Sequence, residues 1–134
     1  MTYDQNTALR QARAQMQATI SAGPISTAQI SAMMTCAFGG SDASGHWDWR
    51  LGFDIMQSAA LGAVRQSLGA RPSPSEGLAV VEAIAARLPT ETRRSERQMA
   101  LQQFSTALPW GWIVAHAAQI APDDVVLEPS AGLG

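Results

Sequence analysis

The chain contains no lysine: all nine of its basic residues are arginine, and against eleven acidic residues they leave a net charge of −2. That balance gives no global electrostatic case for a polyanion partner. Together with the abundant alanine, the missing lysine reads as the mark of a GC-rich coding sequence rather than of function. Cys36 is the single cysteine, which excludes an internal disulfide and a cysteine-based zinc cluster. No stretch approaches the roughly 20 apolar residues needed to span a bilayer. The first residues, Met1-Thr2-Tyr3-Asp4-Gln5, lack the basic and apolar regions of a signal peptide, so a cytoplasmic location and no membrane partner are expected. What is present is globular composition, with 46% hydrophobic and 15% charged residues in 134, enough for one small core.

Patterning then predicts helix upon helix. Residues 5–20 read as a polar helix whose few apolar positions are Leu9, Met16 and Ile20, ended by Gly23-Pro24 because proline disfavours a helical residue before it. A short helix over 27–36 turns Ile30, Met33 and Met34 inward. A glycine- and serine-rich loop, Phe38 to Gly45, opens through Trp47-Asp48-Trp49 into a long helix reaching Leu68. In that helix Phe53, Met56, Ala60, Val64 and Leu68 share one face and Leu51 and Ile55 lie opposite, which predicts a central helix covered on two sides. Ser73-Pro74-Ser75-Glu76 is a helix start, with Ser73 as N-cap, Pro74 at the first position and Glu76 closing a capping box. That helix carries Val80, Val81, Ile84 and Leu88 to a stop at Pro89. A further helix is expected over 91–103, and another from Pro109 to Ile120. Only then does a strand signal appear, in the β-branched run Asp124-Val125-Val126-Leu127.

Several residues invite a functional reading beside a structural one. Arg93, Arg94 and Arg97 are the composition of a phosphate contact, but beside Glu91 and Glu96 they equally make a solvated helix face. Trp47 and Trp49 offer stacking surfaces, or simply core. Asp42 and Asp48 flank the glycine loop as a carboxylate pair, or as caps and loop acceptors. His46 and His116 are far apart with no ligand partner at metal spacing, and His116 is expected on the polar side of its helix. Cys36 reads as a small buried residue.

The most specific signal closes the sequence. After the strand run comes Glu128-Pro129-Ser130-Ala131-Gly132-Leu133-Gly134, an acidic residue, a proline and a Gly-x-Gly loop. Glycines there let backbone N–H groups approach a nucleotide-type ligand. Upstream, Gln103-Phe104-Ser105-Thr106-Ala107-Leu108-Pro109 and one helix precede it, so the two segments form a linked pair.

This pair resembles amino-group DNA methyltransferases, which carry a Phe-x-Thr-Pro segment, one helix, and then an (Asp/Glu)-Pro-x-x-Gly-x-Gly loop. It is similar above all to large proteins that join such a methylase region to a strawberry-notch-type helicase. The Phe38–Asp42, Gly45, Trp47–Trp49 and Arg93–Glu96 segments match the same pattern, so the resemblance covers residues 36–134 and is most specific over 102–134. It implies a mostly α chain. Residues 1–100 would be a helical lead-in module, and residues 101–134 the first strand and glycine loop of a Rossmann-like α/β methyltransferase domain that is truncated here.

The resemblance also implies S-adenosylmethionine as cofactor. Glu128 would face the ammonium of its methionyl part, and the backbone at Ala131, Gly132 and Gly134 would pass beneath it. Phe104 and Thr106 would close the methionyl end. DNA and the downstream methyltransferase/helicase portion of the same protein are the implied partners. Two positions depart from the pattern: Ala107 stands where the family has proline, and Leu133 where threonine or a small residue is usual. No Asn-Pro-Pro or Asp-Pro-Pro occurs in the 134 residues, so the motif that grips a flipped base is expected beyond Gly134, and these residues alone carry no catalytic group. Two other readings stay open, a free-standing helical interaction domain without enzymatic activity and the start of a dinucleotide-binding unit. Pro129-Ser130 and the Phe-x-Thr segment speak against the second.

Overall fold

A computed structural model describes residues 4–91 and 106–127. It is mostly helical: α1 Gln5–Ala22, α2 Thr27–Phe38, α3 Trp49–Ser67, α4 Pro74–Ala85 and α5 Leu108–Ala117. The expected helix over 91–103 lies outside the described residues.

The first four helices begin on side-chain caps, each supplying an acceptor to an otherwise orphaned first-turn N–H. Asp4 accepts from Asn6 N at 3.1 Å, and Asp48 from Leu51 N at 2.7 Å. Ser26 and Ser73 close full capping boxes with Gln29 and Glu76. The Ser73–Glu76 box is the one the residue types predict, and the bonds from Ser73 hold the Glu76 carboxyl below its ordinary pKa.

Helix α3 is the centre, as its two apolar faces predict. Phe53, Ile55, Met56, Ala59, Ala60, Ala63 and Val64 are all buried along it. Helix α1 lies against it through Ala8, Ala12, Met16 and Ile20, residues four apart that align along one face of a helix. This seam is richer than its bulky residues suggest, because two of its four members are alanines that let the backbones approach closely. Ile30 and Met34 of α2 and Val81 and Ile84 of α4 complete the core.

Helix α4 ends at Ala85, three residues before the patterned end at Leu88. The chain tightens there into i to i−3 bonds, Arg87 N to Ile84 O and Leu88 N to Ala85 O, and Arg87 turns away to bond the end of α1. The N–H of Ile25 in turn donates to the Arg87 carbonyl at 2.9 Å, tying the α1–α2 turn to the end of α4. Helix α5 likewise stops at Ala117, and Gln119 takes a left-handed φ of 51°, closing the segment short of Ile120.

Cys36 is exposed on α2, which corrects its expected burial. Its neighbours Ala37 and Phe38 are the ones turned into the core. Residues 124–127 form neither helix nor strand ladder. A strand exists only with a partner to receive its N–H and C=O groups, and among the described residues no segment pairs with it. Among the described residues, too, no helix is long and apolar enough to cross a membrane.

Candidate functional site

Of the six residues expected at a cofactor, Thr106 falls among the described residues; Phe104, Glu128, Ala131, Gly132 and Gly134 lie outside them, as do Arg93, Arg94 and Arg97. Thr106 is exposed and stands two residues before α5. The N-cap of that helix, Ala107, offers no side-chain hydrogen bond, unlike the caps of the other four described helices. The carbonyl of Ala107 accepts from Trp110 N at 3.0 Å and from Gly111 N at 3.2 Å. Pro109 brings no N–H at all, and the first-turn donor that remains has no side-chain acceptor at the cap. Ala107, one of the two departures from the family pattern, is therefore also what leaves this helix start uncapped. An uncapped helix start beside a hydroxyl is where a carboxylate is favourably held.

Helix α5 links Thr106 to the 124–127 run. It has no buried residue, and its apolar side chains Trp110, Ile113 and Val114 are exposed, followed by Ile120, Val125, Val126 and Leu127. Among the described residues its main contact is with α4. The half-buried Trp112 lies over Gly77, where a Cβ would overlap the ring atoms Cζ2, Cη2 and Cε2. The indole Nε1 donates to the carbonyl of Pro74 at 3.0 Å. His116 meets Trp112 edge-on with ring centroids 4.4 Å apart, so this histidine packs on an aromatic neighbour.

The glycine–tryptophan loop resolves as structure. Trp47 is buried against Gly52 and Ile30 and its indole donates to Gly40 O at 3.1 Å. Trp49 donates to Asp42 Oδ2 at 2.9 Å and packs between Trp47, edge-on with ring centroids 5.3 Å apart, and Phe53, tilted at 5.6 Å. Ser44 Oγ sits 2.9 Å from His46 Nδ1 and also 2.9 Å from the Ser41 carbonyl. Asp42 and Asp48 thus act as acceptor and cap rather than as a carboxylate pair. Among the described residues no three His, Cys, Asp or Glu side chains come together in a way that could hold a metal ion.

A separate groove of about 280 Å³ between α1 and α3 is lined by Leu9, Arg10, Arg13, Leu51, Asp54, Ile55 and Ser58. Arg13 Nε is bonded to Ser58 Oγ at 2.9 Å and Asp54 faces Arg50 at 3.9 Å. Thr106 does not line it. Comparison with family models, with curated proteins and with solved structures finds no match to this chain.

Proposed function

We propose that the chain is the amino-terminal part of an S-adenosylmethionine-dependent, adenine-type DNA methyltransferase region, of the kind joined to a helicase in methylase–helicase proteins. What supports the reading most is the start of α5. The exposed Thr106 immediately precedes the uncapped N-cap of α5, an arrangement that suits the carboxylate end of a methionyl group. In this reading Phe104 and Thr106 close that end and Glu128 meets the ammonium. The run of residues 124–127 would become a strand once paired and, with the glycine loop at Ala131, Gly132 and Gly134, run beneath the cofactor, and the helical residues 1–100 serve as a lead-in module. The cofactor would supply an electrophilic methyl group, and DNA and the remainder of the same protein would be the partners. The exposed apolar residues of α5 and of the 124–127 run are those a sheet would cover.

The test is the coding sequence after Gly134. The reading expects a helix, a strand ending in an acidic residue, and an Asn/Asp-Pro-Pro-aromatic motif that accepts hydrogen bonds from a target amino group. A stop codon, or a continuation without that motif, counts against it. The second reading, a helical protein-interaction domain without enzymatic activity, then takes its place, favoured by the same exposed Trp110, Ile113 and Val114.

A further inference from the structure

Helix α5 carries the hallmarks of an element that cannot stand alone. It has ten residues, no side-chain N-cap and no buried residue. Isolated helices of fewer than about 12–15 residues are marginal in water even for alanine-rich sequences. This one also holds Gly111, Ile113 and Val114, all weaker helix formers than alanine. Its stability must come from docking, and among the described residues its main contact is with α4. There one side chain stands out. Trp112 fills the space that the missing Cβ of Gly77 leaves, bonds the Pro74 carbonyl from Nε1, and receives His116 edge-on.

We propose that Trp112 is a positioning residue: seated in the notch at Gly77, it holds α5 and the two segments that flank it on the helical module, so that docking and helix formation are a single equilibrium. Gly77 is buried in the first turn of α4, where a glycine still costs more backbone entropy on folding than an alanine would. The three atoms nearest a Cβ there all belong to Trp112, so the glycine serves the joint rather than the helix that contains it. The role of what α5 carries, Thr106 at one end and the run of residues 124–127 at the other, rests on the reading above. The joint itself does not.

The experiment is amide hydrogen exchange on the 134-residue chain, for the wild type, Gly77→Ala, Trp112→Ala and the double variant. Alanine at position 77 raises the intrinsic helicity of α4, yet it should lower the protection of amides 111–117 by about tenfold or more. Amides of α1–α3 should stay unchanged and those of α4 be no less protected. Trp112→Ala should give the same loss, and the double variant no more than either single one. Residual dipolar couplings supply the positional readout. In the wild type the α5 couplings fit the alignment of α1–α4, and in Gly77→Ala they should collapse. Loss of protection through α1–α5 together, undiminished protection of α5, or couplings that still fit one alignment in Gly77→Ala would each overturn the proposal. None of these results depends on whether a methyl donor binds, and the coding sequence after Gly134 has no bearing on them.

Discussion

Arg87 reaches the end of a helix more than sixty residues before it: its Nη1 donates to the carbonyl of Ile20 at 2.7 Å, and to that of Ser21 at 3.0 Å. These are carbonyls that the last turn of α1 leaves without an intrahelical partner. Helix α1 has no basic residue in its own last turn, so the cation that complements its C-terminal dipole comes from the end of α4. Charge-assisted bonds to partly buried carbonyls contribute about 1.5–3 kcal/mol.

Arg87→Ala is therefore expected to destabilise the fold by about 1–3 kcal/mol. The loss should be seen as a lower urea midpoint at unchanged slope. Arg87→Lys keeps a charged donor nitrogen but replaces the rigid guanidinium with a shorter, more strongly hydrated ammonium, and should fall between. A shift within about 0.5 kcal/mol, the usual range for surface changes, would show that the contact is incidental.

The α1–α3 seam makes a prediction of opposite size effects at neighbouring positions. Met16 is fully buried, and Met16→Ala should cost about 2–5 kcal/mol as a cavity. Ala12 is equally buried one turn earlier. Ala12→Met should also destabilise, by about 1–3 kcal/mol, because the backbones are too close to admit it. Thermal unfolding of both variants checks the pair, and tolerance of methionine at position 12 would contradict the close approach.

Asp54 gives a pH dependence of defined sign. Burial raises its carboxyl above the ordinary value, Glu91 and Asp48 add to the rise, and the nearby Arg50 opposes it. A folded-state value above the unfolded one means that the folded protein binds the proton more tightly. The contribution of Asp54 to stability is then fully present below the unfolded pKa and is lost as pH rises through the folded one. Asp54→Asn should be more stable than the wild type at pH 7, with the advantage shrinking toward pH 3. Asp4 and Glu76 act in the other direction. Hydrogen bonds, first from the side chains of Thr7 and Ser73, hold their carboxyls below the ordinary value, so their contributions are present at neutral pH and fall away on acidification. Urea midpoints at the two pH values separate the cases, and a less stable Asp54→Asn at pH 7 would refute the assignment.

What could be read from residue types was local. The Ser73–Glu76 capping box, the Asp48 cap, the inward Ile30 and Met34, and the central two-faced α3 all depend on spacing within one segment. Three features depend on distant chain and left no such trace. The Ala8–Ala12 half of the α1 seam hides in residues that count as neither bulky nor polar. Arg87 looks like one more surface arginine until the end of α1 is beside it. Gly77 looks like a weak point in α4 until Trp112 lies over it. Cys36 departs from its expected burial because on a short helix the core meets its neighbours Ala37 and Phe38 instead. The candidate site was legible as a motif, and Thr106 with its uncapped helix start is its described part. The strand run could not form by itself, since pairing is not a property of one segment.

We propose that the segments flanking α5 form the entrance of a methyl-donor pocket. The most direct test is calorimetric titration of S-adenosylmethionine into the protein expressed with the coding region that follows Gly134, beside its Glu128→Ala variant. Removing a carboxylate that meets the cofactor ammonium should weaken binding by about 10- to 100-fold, the equivalent of one charge-assisted bond. Saturable binding that Glu128→Ala weakens to that degree is the expected result. No binding, or equal binding by the two proteins, would contradict the account.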